Sequence, residues 1–157
     1  MEEKTLSTLV VRAIRVEDLE GWRPLWDGYN AFYERVGPTA LSESVTRVLW
    51  ERFFDDREPI HALIAEAEGE LVGLAHYLFH RNTSRVQVVC YLQDLFTAEN
   101  ARRRGVGRAL IEQVYEEARR AGAARVYWHT HTSNVVGRAL YDQMAQNQGF
   151  IVYSHDL

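Results

Sequence analysis

Apolar positions along the chain keep two rhythms, one of period two and one of three to four residues. Their alternation predicts the elements. Residues 6–14, rich in Leu, Val and Ile, read as an opening strand. Glu17 and Asp18 then put negative charge at the positive end of a helix. One face of that helix carries Leu19, Trp22, Trp26, Tyr29 and Tyr33, and Pro24 inside it marks a kink or a late start. Gly37 and Pro38 end the segment. Residues 42–54 repeat the helical rhythm through Val45, Leu49 and Phe53. Residues 60–67 read as a strand, Glu68-Gly69-Glu70 as a tight turn and 71–80 as the return strand. A polar loop over 81–84 leads to a strand over 85–97. The strongest amphipathic helix follows over 106–121, with Val106, Leu110, Ile111, Val114 and Ala118 on its apolar face and Gly122 as its stop. Residues 125–132 form the next predicted strand. Ser133 or Asn134 caps a helix to about Asn147, burying Val135, Val136, Leu140 and Met144. Gly149 breaks it, and 150–153 reads as a last strand.

This order of strands and helices predicts one α/β (α+β) domain over residues 1–157, with no internal repeat, linker or low-complexity segment. A chain of 157 residues with 46% apolar and 25% charged residues is ordinary for a globular protein with one core. It holds no apolar run of membrane-spanning length, which predicts no membrane partner. Its start, Met1-Glu2-Glu3-Lys4, lacks the form of a signal peptide. A single cysteine, Cys90, excludes an internal disulfide and suits a reducing, cytoplasmic setting; it reads as a small core residue.

The net charge of −4 argues against a nucleic-acid partner. The charge is uneven: residues 17–58 hold ten acidic and five basic side chains, and residues 101–125 hold seven arginines and three glutamates. A basic half suits a polyanionic ligand and an acidic half a cationic one. Two solvated helix faces would give the same counts.

The chemistry concentrates between Tyr91 and Leu110. A strand ending in Leu95, Phe96 and Thr97 runs into Arg102-Arg103-Arg104-Gly105-Val106-Gly107-Arg108, a glycine-bearing turn that opens a helix. Such a turn leaves amide N–H groups free at the positive end of a helix dipole, which suits a phosphate. Arginines around it add charge. A dinucleotide fingerprint would need a third glycine where Leu110 stands, and a P-loop would need Gly-Lys-Ser/Thr. The pattern present is Arg-x-x-Gly-x-Gly.

With Tyr91-Leu92-Gln93-Asp94-Leu95-Phe96 before it, and Asn134 seven residues ahead of Tyr141 with Gly149-Phe150 beyond, this pattern resembles the GCN5-related N-acetyltransferases over nearly the whole chain. The likeness is to the branch of spermidine/spermine acetyltransferases and yeast histone and polyamine acetyltransferases. It implies a mixed, mostly antiparallel sheet with helices on both faces and a V-shaped cleft for acetyl-CoA between strands 85–97 and 125–132. It implies that the backbone of Leu95, Phe96 and Thr97 pairs with the pantetheine arm beside a bulge. Arg102, Arg103, Arg104, Gly105, Val106, Gly107 and Arg108 would hold the pyrophosphate, and Asn134 would also face the cofactor. Tyr141 would give the leaving thiolate its proton. A homodimer through C-terminal elements is implied as well.

The acceptor amine belongs to a polyamine, an amino-acid-like molecule or a protein lysine. Gln93, Asp27, Tyr33 and Glu34 are candidates to line its site. Relatives carry glutamate where Gln93 stands, and glutamine accepts no proton. Strand alternation turns the neighbouring Asp94 to the opposite face. The base therefore stays open among Asp27, Glu34, Asp94 and water. His129 and His131 share a strand face without a third ligand, so no metal is expected, and His76 and His80 carry no signal of their own. A non-catalytic acyl-CoA-binding module would share all these motifs except a need for Tyr141.

Overall fold

The structure, a computed structural model, describes residues 8–157. The period-two stretches gather into one sheet whose spatial order follows the chain. Its strands are β1 (Val10–Ala13), β2 (Ile60–Ala67), β3 (Glu70–His80), β4 (Val89–Thr97) and β5 (Val126–Tyr127). The first four pair antiparallel and β5 joins β4 in parallel. Glu68 and Gly69 both take positive φ, which a two-residue hairpin turn demands.

Among the described residues four α-helices cover the sheet: α1 (Leu19–Phe32), α2 (Glu43–Arg52), α3 (Val106–Arg120) and α4 (Val135–Met144). On one face Val106, Leu110, Ile111, Val114 and Ala118 of α3 bury against Leu63, Ala65, Tyr77, Cys90 and Leu92. The helical spacing of these five positions is why α3 docks on one stripe. Gly73 lets α3 approach, since a Cβ there would lie 2.7 Å from Val106. On the other face Trp22, Leu25, Trp26 and Tyr29 of α1 meet Ile64 and Leu74, with Leu49, Trp50 and Phe53 packed behind them. Trp22 is fully buried and stacks 5.9 Å from Trp26. The expected mixed sheet with helices on both faces is the fold observed.

Several boundaries differ from the sequence reading. The first seven residues lie outside the described part, and with them the start of the expected strand over 6–14. β4 begins at Val89, not 85, because Val86 stands 91% exposed in a turn with nothing to pair against. β5 is two residues long instead of eight. α4 stops at Met144, where Ala145 turns fully extended. Residues 150–153 form no strand, and Phe150 and Tyr153 are each 88% exposed. Their β-branched and aromatic composition suits a strand, but among the described residues they pair with none.

Candidate active site

β4 and β5 stay together only briefly. Cys90 pairs with Val126 and Tyr91 with Tyr127, after which the two segments part. From Leu92 to Thr97, β4 is bonded to β3 alone. Backbone groups of Leu95, Phe96 and Thr97 that point away from β3 therefore have no strand partner. The V shape expected between these strands is present.

The loop that follows turns those residues into a cluster of donors. A short 3-10 turn over Glu99–Ala101 leads to Arg103 at φ +61° and Gly105 at φ +80°, and Gly105 begins α3. Among the described hydrogen bonds none is donated by the backbone N–H groups of residues 103–108. Successive free amides at a helix start form an anion-binding concavity. A Cβ on Gly105 would meet nothing within 4 Å, so glycine is needed there for its left-handed backbone and not for space. Arg102 reaches back to the Thr97 carbonyl at 3.3 Å and lies over the Phe96 ring. Arg108 donates to Gln143 of α4, tying the loop to the next helix. These residues fit a polyphosphate.

α4 brings Tyr141 to the large cleft that opens where β4 and β5 part. Asn134 caps the helix: its Oδ1 accepts from the Gly137 amide at 3.2 Å, and its Nδ2 donates to Thr130 Oγ1 at 2.9 Å. A Cβ on Gly137 would sit 2.4 Å from Asn134 Nδ2, so this cap requires glycine. Both polar ends of Asn134 are thus engaged within the chain. Seven residues on, Tyr141 lies on the same helix face, edge-on to Trp128 at 5.5 Å. Burial, and then the nearby Tyr33, push its phenol up from the usual value. Raising keeps the O–H intact.

Beyond Tyr141 the cleft widens to about 1780 Å³. A bulge shapes its floor. Leu92 pairs with Tyr77 and Asp94 with His76, leaving Gln93 as the extra residue. Alternation breaks at that point. Leu92 and Leu95 both pack on the α3 side, while Gln93 and Asp94 both line the cleft. The expectation that Asp94 points away from Gln93 is therefore corrected.

Asp94 is 8% exposed and does not stand alone. Its Oδ2 lies 2.9 Å from His76 Nδ1, and Trp22 Nε1 lies 3.1 Å from His76 Nε2. His76 is fully buried and had no sequence signal, because its partners come from α1 and β4, far away along the chain. Tyr29 also adjoins Asp94: burial first, then the carboxylate's charge and hydrogen bonding, push its phenol up.

Among the cleft-lining residues Asp94 is the only carboxylate, against Arg35, Arg52, Arg85, Arg125 and Arg138. Arg35 is the best placed. Its guanidinium covers the Tyr33 ring at 5.4 Å and the Tyr29 ring at 5.9 Å, and its Nη1 donates to Asn30 Oδ1. Tyr33 lines the cleft and meets the His131 ring. Asp27 and Glu34 are not brought there: Asp27 is exposed and paired with Arg23, and Glu34 sits in a left-handed turn outside the lining. The acidic half of the sequence is spent similarly, with Glu43 on Arg23, Glu51 on Arg47, Asp55 on Arg57 and Glu58 on Arg52. His129 Nδ1 lies 3.4 Å from the Tyr91 hydroxyl, and among the described residues no group of three potential ligands gathers.

Comparison with known proteins agrees with this geometry. The family model described as "Acetyltransferase (GNAT) family" matches residues 22–145. The D-amino-acid N-acetyltransferase HPA3 of Saccharomyces cerevisiae is 34% identical over 157 residues, covering 99% of this chain and 95% of that protein. The uncharacterized N-acetyltransferase YhfO of Bacillus subtilis is 26% identical over 145 residues, covering 91% of this chain and 94% of that one. Among solved structures, AAC(6')-Iy in complex with a CoA-containing bisubstrate analog superposes with a TM-score of 0.80 at 18% identity, covering 96% of this chain and 99% of that one.

Proposed function

As the chain belongs to the acetyltransferase (GNAT) family and is an N-acetyltransferase, we propose that it transfers the acetyl group of acetyl-CoA to the primary amine of a small carboxylate-bearing acceptor, an amino acid or near relative. The observation that carries this reading is the charge of the cleft, where Arg35, Arg85, Arg125 and Arg138, beside an Arg52 paired with Glu58, stand against one aspartate. A polyamine or a lysine-rich peptide would meet repulsion there, whereas an amino acid offers a carboxylate to an arginine and an amine to the floor. The 34% likeness to a yeast D-amino-acid N-acetyltransferase supports the same class, and it is also what supports a place near the yeast histone and polyamine branch.

The residues divide the work. Acetyl-CoA supplies the acetyl group on a thiol leaving group. Residues 103–108 bind its pyrophosphate through their free amides, and Arg102 and Arg108 brace that loop. The open edge of Leu95, Phe96 and Thr97 aligns the arm. Tyr141 gives a proton to sulfur, and its raised pKa keeps that proton in place until it is needed. Arg35, held by Asn30 and two tyrosine rings, takes the acceptor carboxylate.

The chain pairs with a second copy through residues 150–153. That apolar segment is exposed, and β5 leaves most of the edge over 128–132 unpaired. Cys90, buried and with its thiol pushed up to about 12 by desolvation, suits a reducing compartment such as the cytoplasm.

Turnover of acetyl-CoA against amino acids, their amides and polyamines tests the acceptor. Faster transfer to amino acids is expected, and a preference for polyamines would overturn it. Light scattering that returns a monomer mass at micromolar concentration would remove the dimer.

A further inference from the structure

The group that takes the acceptor's proton can be identified from three buried side chains. The indole N–H of Trp22 is a donor only, so His76 Nε2 must accept from it. The imidazole proton then resides on Nδ1, which donates to Asp94 Oδ2 at 2.9 Å. An imidazolium would need a second proton on Nε2, where the indole N–H already points. Asp94 receives a directed hydrogen bond but no compensating positive charge from this partner.

The bulge at Gln93 turns this carboxylate into the cleft that Tyr141 also lines. The charged and titratable groups around it are His76 from β3, Tyr29 and Tyr33 from the first helix, Arg35 just beyond that helix, and Tyr91 on its own strand. A neutral phenol is a far weaker base than a carboxylate, and Gln93 is no base. We propose that Asp94 is the catalytic proton acceptor, and that His76 and Trp22 are the residues that position it and keep it uncompensated. The assignment rests on the acetyl-transfer reading above.

The step balances as follows. The acceptor enters as a free amine, having lost its ammonium proton to water. Its lone pair forms the nitrogen–carbon bond, and the carbon–sulfur bond breaks with its electron pair going to sulfur. Asp94 takes the proton that nitrogen loses as it becomes an amide nitrogen. Tyr141 gives its proton to sulfur, and solvent returns the proton from Asp94 to Tyr141. No proton is gained or lost by the enzyme over one cycle.

Three variants test this. Asp94→Asn should lower kcat about 10²- to 10⁴-fold, the range for a positioned acid or base. Calorimetric acetyl-CoA affinity should stay within about tenfold of wild type, because the amide loop is untouched. His76→Gln can still accept from Trp22 and donate to Asp94, so it should retain far more activity than His76→Leu. Trp22→Phe frees Nε2 to take a second proton. Its kcat/KM should then fall more steeply than that of wild type as pH is lowered, beyond the loss that protonation of the acceptor amine causes in both. Nitrogen NMR of the histidine rings, which needs no turnover, should find His76 as the Nδ1–H tautomer in wild type and as imidazolium in acidified Trp22→Phe.

Undiminished kcat in Asp94→Asn would overturn the assignment alone, as would an unaltered pH profile and tautomer in folded Trp22→Phe. Absence of wild-type turnover on every amine would overturn the acetyl-transfer reading and this assignment with it.

Discussion

The two ends of the cleft handle charge by different means. At the loop end, the amides of residues 103–108, which donate none of the described hydrogen bonds, gather potential anion donors from backbone alone within one continuous stretch of chain. At the acceptor end, Arg35 comes from beyond α1, His76 from β3, Asp94 from the bulge of β4 and Tyr141 from α4. The loop end needs only one left-handed glycine, one left-handed arginine and a helix start. The acceptor end needs four elements to be packed correctly against one another. A backbone site tolerates changes of side chain around it, whereas a site of gathered side chains depends on each of them. One end is therefore suited to an invariant cosubstrate and the other to a particular acceptor.

The sharpest break in that comparison comes at Tyr141. If it gives the leaving sulfur its proton as proposed, Tyr141→Phe should lower kcat about 10²- to 10⁴-fold while acetyl-CoA affinity changes less than about tenfold. Negative charge develops on sulfur only as the bond breaks, and a phenol O–H aimed there strengthens only then. Because burial raises this phenol's pKa, its loss as an acid should come above about pH 10, as pH rises through the folded value. Equal losses in binding and rate would make Tyr141 a packing residue beside Trp128.

Arg35 tests the acceptor end next. A hydrogen bond to a charged group contributes about 1.5–3 kcal/mol, so Arg35→Met should raise KM for an amino acid roughly ten- to hundredfold. Methionine keeps an apolar contact on Tyr29 and Tyr33. The matching amine without a carboxylate should be used about as well by both proteins. If both substrates suffer alike, Arg35 supports the tyrosine wall and reads no charge.

The contrast between the two ends also explains what was legible in the sequence. The loop, α3 and the turn at Gly69 were readable because their determinants are local: spacing, glycine and arginine within a few residues. All five positions expected on the buried face of α3 are buried. The acceptor end was not readable in this way. Nothing near His76 announces Trp22 or Asp94, and the bulge that turns Asp94 into the cleft arises from pairing with β3. Acidic residues counted as a possible cation site are instead held in surface ion pairs. Strand composition over 125–132 and 150–153 was read correctly as composition, but a strand needs a partner. The cleft takes the partner from most of the first, and among the described residues the second is paired with no strand.

Gly105 probes the loop end itself. A left-handed φ of +80° costs a non-glycine residue about 1–2 kcal/mol, and Gly105→Ala should lose that much stability in denaturant titration. Relaxing the strain would re-aim the amides, so the thermal stabilisation given by acetyl-CoA should shrink well beyond the change in the free protein. A normal acetyl-CoA shift in this variant would put the pyrophosphate elsewhere.

The smallest effect is expected where the two ends meet. Asn134 was expected to face the cofactor, yet in the structure its Oδ1 accepts from Gly137 and its Nδ2 donates to Thr130. Those two bonds fix the start of α4, the helix that presents Tyr141 to the chemistry and Gln143 to Arg108 of the loop. Removing a helix cap of this kind costs about 1 kcal/mol. Asn134→Ala should therefore lower stability by about that much and reduce kcat only modestly, with acetyl-CoA affinity nearly unchanged. Asn134→Ser is the informative companion, since serine also caps helices and should restore most of the stability without the reach to Thr130. If Asn134→Ala instead leaves stability intact and weakens acetyl-CoA binding, the side chain leaves its cap to meet the cosubstrate. The loop end would then depend on a gathered side chain too, and the division between the two ends would fail at the helix that joins them.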